Sequence, residues 1–287
     1  MSSWPVLLVD DEPDVLAISK LAMKNFTVYG LPLDLYTAAS KAEAETVLNS
    51  ELGMQGKLSP LAVAIIDVVM ESDSAGLELC DSIRFTRHNH MTQLFIRTGQ
   101  PGTAPERTVI DRYDINGYYT KTELSEDKLY SMIKSGIRQY YSARSSLSIA
   151  ELTNRLTVSA EDREKMIAFI KSLGTLANSD NNLPESLSGE AQHFTFVNGA
   201  PIGGTFAEAE AEALRQRLEG IDGTTLGPTG DQYAADEDHY CYLKIDGRKD
   251  RAEVVYISKR HFPTPDVVLA SIHAFWSSFA RLWHFSP

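Results

Sequence analysis

The fold is decided by a stretch near the start of the chain, Val6-Leu7-Leu8-Val9-Asp10-Asp11-Glu12. Its apolar residues run without polar alternation, which is typical of a central strand covered by helices on both faces. Asp10 and Asp11 then come at the carboxyl end of that strand, where open α/β sheets place their ligands. Two neighbouring carboxylates in a crevice favour a cation, and Mg²⁺, a hard ion that prefers oxygen ligands, suits them.

Three later predicted strands are also followed by polar side chains. A continuous apolar run at residues 61–66 leads to Asp67, and predicted strands at 93–97 and 115–119 lead to Thr98 and Lys121. A short alternating strand is also predicted at 33–36. Helical patterns lie between these runs and begin near residues 13, 40, 76, 106 and 125. A strand and a helix that alternate in this way predict a doubly wound, parallel (βα)5 sheet of the α/β class with right-handed crossovers.

Such a sheet brings the carboxyl ends of its strands to one edge, so these polar side chains should converge. Asp67 is the candidate nucleophile, because a carboxylate can accept a phosphoryl group and become an acyl phosphate. Asp10 and Asp11, together with Asp67 and the backbone carbonyl of Val69, are the candidate Mg²⁺ ligands. The ion would screen the repulsion between carboxylate and phosphoryl group.

Two further side chains complete the predicted site. We expect the ammonium group of Lys121 to pair with one phosphoryl oxygen and the hydroxyl of Thr98 to donate to another. Each residue type is common at the end of a strand, but the whole set in this order and spacing points specifically to phosphoryl transfer.

Residues 4 to about 141 resemble a response-regulator receiver domain of two-component signalling, of the CheY-like type. The matching motifs are Leu8-Val-Asp10-Asp11-Glu12-Pro13, Ile66-Asp67-Val-Val-Met70, Arg97-Thr98-Gly99 and Tyr118-Tyr-Thr-Lys121. The resemblance implies that Asp67 is the phosphoacceptor and that a histidine kinase or a phosphotransfer protein is the donor. It also implies that Thr98 and Tyr118 form the switch pair, with catalysis limited to self-phosphorylation and dephosphorylation.

The chain departs from the family pattern at two proline positions. Thr122 replaces the usual proline after the final lysine, and Glu71 replaces the proline four residues after the acceptor. The loop after Asp67 is also one residue longer than is typical and carries Glu71 and Asp73. These departures leave the expected catalytic groups in place, although the extra acids could alter metal affinity or kinase docking.

A narrower resemblance is to receivers followed by a GAF-like domain of unknown function, many of which end in an HD-GYP cyclic-di-GMP phosphodiesterase. It rests on Met70-Glu-Ser-Asp-Ser-Ala-Gly76, Arg97-Thr-Gly-Gln-Pro-Gly-Thr-Ala-Pro-Glu106 and Tyr113-Asp-Ile-Asn-Gly-Tyr-Tyr-Thr-Lys-Thr-Glu-Leu124. The sequence contains no His-Asp dipeptide, so the HD-GYP module is absent from it.

These features divide the chain into a receiver at 1–141, a connector helix at 142–158 and an α+β GAF-like domain at 159–287. The apolar stripe of the last receiver helix continues beyond residue 141, as in a signalling helix that pairs with its copy in a dimer; a simple linker helix is the alternative. A broad apolar face on a helix at 265–285 also favours a homodimer.

Composition limits the cellular compartment and the classes of partner that we expect for this chain. The chain has 287 residues, a formal net charge of −12 and two cysteines. The acidic balance argues against non-specific nucleic-acid binding, and no basic recognition helix is present. No signal peptide and no membrane-spanning run are seen, and well-separated apolar cysteines fit a reducing environment, so we expect a cytoplasmic protein without membrane insertion.

The leading hypothesis is a response regulator whose phosphorylation switches the contacts of a non-enzymatic C-terminal domain. The output would be protein–protein, either dimerisation or an unknown downstream protein partner. The alternative is a sensor for a small, nucleotide-like ligand in the GAF-like domain, tuned by phosphorylation. An enzyme in the second half is a third possibility, but no convergent acid–base or nucleophile set supports it.

Overall fold

The structure is a computed structural model that describes residues 3–50, 52, 59–99, 106–122, 125–160, 162–173, 192–259 and 266–286. The chain divides into two compact units, Met1–Ala143 and Arg144–Pro287. Each unit has its own six-stranded sheet. Residues 178–189, whose polar, turn-rich composition predicts a loop, lie outside the described residues.

Strands and helices alternate in the first unit, as the sequence predicts. Its strands are β1 (Trp4–Val9), β2 (Thr27–Val28), β3 (Leu31–Ala38), β4 (Val63–Ile66), β5 (Gln93–Thr98) and β6 (Gly117–Thr120). Its helices are α1 (Pro13–Met23), α2 (Lys41–Ser50), α3 (Ala75–Asp81), α4 (Glu106–Tyr113) and α5 (Glu126–Ser159). The helix predicted from Gly76 ends in a π-helical turn, Ser82–Thr86.

The parallel strands of the first unit lie in the order β3-β1-β4-β5-β6. Strand β1 is therefore central, which explains its uninterrupted apolar run. The sequence did not predict β2, which pairs with β3 in a hairpin. The turn between them is Tyr29-Gly30, with φ of 53° and 76°, and positive φ at both central residues is what a type I′ turn requires.

One face of this sheet packs on a continuous apolar core. Leu7, Val9, Ile66 and Ile96 contribute to it from the strands, with α2 and α3 supplying further members. On the opposite face, α5 lies close to β5, and Gly136 makes this possible because a Cβ there would lie 2.8 Å from Phe95. The sheet is thus covered on both sides, as the doubly wound prediction requires.

Helix α5 is a single helix of 34 residues. It includes the predicted connector at 142–158 and continues across the boundary between the two units. The helical character of the connector is thus as predicted, whereas pairing in a dimer stays a prediction. Among the helices of the described residues, none combines the length and apolarity needed to cross a bilayer.

The second unit is built on an antiparallel sheet in the order β8-β7-β12-β11-β10-β9. Its strands are β7 (His193–Val197), β8 (Ala200–Gly204), β9 (Thr224–Leu226), β10 (Asp231–Ala235), β11 (Tyr240–Ile245) and β12 (Val254–Lys259). Its helices after α5 are α6 (Arg163–Ser172), α7 (Glu208–Glu219) and α8 (Asp266–Phe285). An α+β unit is therefore present, as predicted.

The second unit corrects the sequence interpretation at two places. Four glycines and a proline in the segment 220–230 predict a mobile loop, yet the segment contains β9, which pairs with β10. Strand β10 was itself not predicted, and Asp231 and Ala235 at its ends show why, since these residue types carry little strand signal. The Asn198-Gly199 pair predicts a tight turn, and this turn is observed between β7 and β8 with positive φ at both residues.

Candidate active site at the edge of the parallel sheet

The backbone of the parallel sheet brings four strand ends to one place. Asp10 follows β1 and its N–H donates to the carbonyl of Ala38, 3.1 Å away. Asp67 follows β4 and its N–H donates to Val9, at 2.9 Å. Lys121 follows β6 and its N–H donates to the carbonyl of Thr98, at 2.8 Å. The ladder of the sheet, rather than any loop, therefore positions these residues.

Three carboxylates form an acidic cluster at this edge. Ligand oxygens of Asp10, Asp11 and Asp67 all lie within 4.8 Å of one another. Asp10 and Asp67 are buried, whereas Asp11 is exposed to solvent. Clustered oxygen ligands of this kind suit a hard divalent cation that keeps part of its water shell. The cluster is thus compatible with a divalent metal; the backbone carbonyl of Val69, two residues beyond Asp67, stays a predicted ligand.

The ammonium group of Lys121 lies among carboxylates. Its Nζ is 2.7 Å from Asp67 Oδ2, 3.0 Å from Asp10 Oδ2 and 2.7 Å from Glu12 Oε1. Burial alone would lower the pKa of Lys121, but these carboxylates outweigh it and raise the pKa above its usual range. Lys121 is therefore a permanent cation placed to contact an anionic group on Asp67.

The carboxyl group of Asp67 has a perturbed environment. Burial raises the pKa of Asp67 above its usual value, and the charge of Asp10 adds to the rise. The hydrogen bond and charge of Lys121 oppose it, as does the N–H of Val68, which donates to Asp67 Oδ1 at 2.7 Å. A buried carboxyl group that has a perturbed pKa and a cationic partner is common at functional sites.

The loop after Asp67 is held close to β4 at one position. The N–H of Gly76 donates to the carbonyl of Val68 at 3.0 Å, and a Cβ on Gly76 would lie only 1.8 Å from the Asp67 carbonyl oxygen. The extra acid Glu71 accepts a hydrogen bond from the backbone N–H of Lys41, at the start of α2. Its carboxylate is thus engaged by α2.

The predicted switch residues lie on β5, which pairs with the strand leading to Asp67, and on β6, one strand further along the sheet. Thr98 ends β5 and is fully buried, whereas Tyr118 on β6 is half-buried and packs beside the apolar core. Burial raises the pKa of Tyr118, with smaller contributions from Glu106 and Asp67. The switching roles of Thr98 and Tyr118 stay predictions.

Two charged residues of the site were not identified from the sequence. Arg97 is buried next to Thr98, and its guanidinium donates to Asp10 Oδ2 at 3.3 Å and to the Ser19 hydroxyl at 2.8 Å. The Glu12 carboxylate pairs with Lys121, and this pairing lowers the pKa of Glu12. An arginine inside a run that is otherwise a buried strand was the available signal, because such a charge needs a carboxylate partner.

Comparisons with known proteins bear on half of the chain. No protein-family model matches it. The 3′3′-cGAMP-specific phosphodiesterase 2 of Vibrio cholerae is 41% identical over 137 residues, or 48% of this chain. The chain spans about a quarter of the length of this curated relative, 25%.

Solved structures that are similar to this chain also cover about half of it. A signal receiver domain of an HD domain-containing protein from Pseudomonas fluorescens is 18% identical, with a TM-score of 0.40, over 49% of this chain and 98% of that chain. A response regulator receiver protein from Pseudomonas putida is 21% identical, with a TM-score of 0.38, over 47% and 98%. The Mn²⁺-bound form of response regulator Rcp1 is 16% identical, with a TM-score of 0.36, over 46% and 90%.

Proposed function

We propose that this chain is a response regulator that accepts a phosphoryl group on Asp67 from a histidine kinase or a phosphotransfer protein. One observation carries the proposal. The oxygens of Asp10, Asp11 and Asp67 lie within 4.8 Å of one another, and the Lys121 ammonium is 2.7 Å from Asp67. Carboxylates, an ammonium group and an adjacent buried threonine are the parts that transfer of a phosphoryl group to an aspartate needs.

In the proposed step, an Asp67 carboxylate oxygen attacks the phosphorus of a phosphohistidine. The new P–O bond forms as the P–N bond breaks, and the departing imidazole leaves on the donor protein. Lys121 is already within contact distance of Asp67 Oδ2 and would pair with an oxygen of the transferred group. The hydroxyl of Thr98 would donate to another oxygen once the acyl phosphate has formed.

We propose Mg²⁺ as the divalent ion of this site. Asp10, Asp11 and Asp67 would hold it with the carbonyl of Val69, and the oxygen-only donor set supports this choice. A bound Mg²⁺ would offset the repulsion between the carboxylates and the incoming phosphoryl group. The chain's own contribution is to keep these carboxylates adjacent on neighbouring strand ends.

We further propose that phosphorylation switches the contacts of the second unit, which acts in protein–protein or dimer contacts rather than as an enzyme. Tyr118 and Thr98 would report the acyl phosphate by changing their packing, a shift between two existing arrangements. Side chains of the second unit pack against the sheet from its helices. Leu214 on α7 packs in a core cluster on one face of the sheet, and the ring centroids of Tyr256 and Trp276 lie 4.6 Å apart, joining β12 to α8. This packing favours a contact surface over the alternative of a small-ligand sensor.

The assignment of the second unit as GAF-like belongs to the same proposal, as does action in the cytoplasm. The name of the Vibrio cholerae relative describes a cyclic dinucleotide phosphodiesterase, but the match covers a quarter of that protein. We therefore take from it no activity for this chain.

Intact-mass analysis after incubation with a small-molecule phosphodonor and Mg²⁺ tests the proposal. The wild-type chain should gain one phosphoryl group, and the gain should disappear on chelation of the metal and in Asp67→Asn. The variant Asp73→Asn is the matched control, because it removes an exposed carboxyl group from the following loop and should still be labelled. Labelling that persists in Asp67→Asn would place the acceptor elsewhere.

A further inference from the structure

Arg97 is a second cation inside the acidic site. It lies one residue before the end of β5, and its side chain is 9% exposed. Its guanidinium reaches only one of the clustered carboxylates, Asp10, and its other contact is the hydroxyl of Ser19 on α1. Arg97 thus connects Asp10, a predicted metal ligand, to Ser19 on α1.

Arg97 differs from Lys121 in what it can contact. The Lys121 ammonium lies between Asp10 and Asp67 and can follow a group attached to Asp67. The guanidinium of Arg97 is held beside Asp10 by the bond to Ser19, so Asp10 is the clustered carboxylate that it contacts directly. An arginine cannot lose its charge by deprotonation in a protein, so this compensation is permanent.

Both cations must be counted to obtain the net charge of the site. Two of the acids, Asp11 and Glu12, face solvent and add negative charge at the rim. The charged groups of the site are Asp10, Asp11, Glu12, Asp67, Lys121 and Arg97. Four carboxylates against two cations leave a formal charge that a single divalent ion neutralises. Without Arg97 the crevice would be more negative and would attract the ion more strongly.

We propose that Arg97 is a positioning residue that shares Asp10 with the divalent ion and thereby sets how tightly the site binds it. The inference rests on the proposed metal site. It adds that the positive charge of Arg97 lowers the fraction of sites that hold the metal. The site would then fill only above a threshold of free Mg²⁺, because the ion must compete with a guanidinium for the same carboxylate oxygens.

The expected effect follows from the Coulomb interaction. A unit positive charge one carboxylate away from a divalent ion lowers its affinity by roughly tenfold even when screened as in water. Arg97→Gln removes the charge and keeps hydrogen-bonding groups, so it should tighten Mg²⁺ binding by about that factor. Arg97→Lys keeps the charge and should bind Mg²⁺ nearly as the wild type does. Arg138→Met is the matched control, because it removes an exposed positive charge from α5.

Isothermal titration of the full-length chain with Mg²⁺, repeated with Mn²⁺, measures these affinities directly and needs no phosphorylation. The proposal expects tighter binding in Arg97→Gln and unchanged binding in Arg97→Lys and Arg138→Met. Arg97→Met provides the same charge loss with an unbranched apolar side chain, should Arg97→Gln not fold by circular dichroism.

Two results would overturn the inference while leaving the proposed function intact. Equal Mg²⁺ affinity in the wild type, Arg97→Gln and Arg97→Met would show that the charge of Arg97 does not affect metal binding. Weaker binding in the neutral variants would show that Arg97 is needed to orient Asp10 instead. Absence of divalent binding in the wild-type chain itself is the distinct outcome that would refute the proposed function.

Discussion

Asp231 is a buried acid of the second unit whose charge has several partners. It is fully buried at the start of β10, and Arg251 donates to both of its oxygens, at 2.6 and 3.2 Å. The Nε2 of His273 is 2.7 Å from Oδ2, and the hydroxyl of Thr229 and the N–H of Asp246 also donate to the carboxylate. Burial opposes ionisation, but these partners hold the pKa of Asp231 at about 2, below its ordinary 3.8.

This lowered pKa predicts a loss of stability in acid. The folded-state pKa is below the unfolded value, so the stabilisation is present above pH 3.8 and disappears as the pH falls through about 2. Its size is about 2 kcal/mol, since each pKa unit corresponds to about 1.4 kcal/mol. The variant Asp231→Asn should lack this acid-dependent step, and at neutral pH it should be less stable by about 3 kcal/mol because Arg251 stays buried without its counter-ion.

Urea unfolding followed by tryptophan fluorescence suits this test, because Trp276 and Trp283 both lie on α8. The free energies of the wild type and Asp231→Asn should converge as the pH falls from about 4 to 2. Asp238→Asn, at an exposed position, should follow the wild type. A constant difference between wild type and Asp231→Asn across this range would contradict the account.

At the scale of residues, the sequence predicted the carboxylates and the lysine of the site but not the buried arginine beside them. Asp10, Asp11, Asp67 and Lys121 were predictable because each follows a strand of a parallel sheet, and such ends converge. The contact of Arg97 with Asp10 joins residues 87 positions apart, and local sequence carries no information on which carboxylate a buried arginine finds. The Asp231 cluster was missed for the same reason, since Arg251 and His273 come from other elements.

At the scale of elements, the packing of α3 against the end of β4 leaves no room at Gly76. A Cβ there would lie 1.8 Å from the Asp67 carbonyl oxygen and 3.0 Å from Val68 Cα, and backbone atoms cannot move aside as a flexible side chain can. Gly76→Ala should therefore displace Asp67, destabilise the first unit by about 3 kcal/mol and reduce phosphoryl acceptance.

Hydrogen–deuterium exchange of the β4 segment measures this effect. Faster exchange in Gly76→Ala than in the wild type is the expected result. Gly99→Ala provides the comparison, because its Cβ would meet Lys121 Cδ at an ordinary 3.6 Å and should leave exchange in β4 unchanged. Unaltered exchange in Gly76→Ala would show that the α3 contact is looser than the structure indicates.

The elements that sequence reasoning found are those with a strong local signal. Strands β1 and β4 are continuous apolar runs, and α2 begins after Ser40, whose hydroxyl accepts from the N–H of Glu43 at 3.1 Å. Two of the elements it missed are short strands at an edge of a sheet. Strands β2 and β9 have two and three residues, and tertiary pairing rather than local propensity creates them.

At the scale of the whole molecule, α5 is the covalent route by which the state of Asp67 could reach the second unit. It runs unbroken for 34 residues across the unit boundary, and Leu147 and Val158 are exposed on its second half. Exposed apolar side chains on a helix are where a second copy of the chain could pack. This supports the proposed dimer.

We expect the mass in solution to rise from one chain to two when beryllofluoride and Mg²⁺ are added as a stand-in for the acyl phosphate. Light scattering after size exclusion measures the change. Asp67→Asn under the same conditions should remain at the mass of the untreated chain. An identical mass and shape with and without beryllofluoride would exclude assembly driven by phosphorylation, without bearing on the chemistry at Asp67.

The central claim is that this acidic crevice forms an acyl phosphate on one particular carboxylate. Borohydride reduction of the phosphorylated chain, followed by peptide mass spectrometry, tests it most directly, because the reagent converts a phosphorylated aspartate into homoserine. The account predicts homoserine at position 67, dependent on both the phosphodonor and Mg²⁺. Homoserine at Asp10, Asp11 or any other aspartate, with residue 67 unmodified, would contradict it.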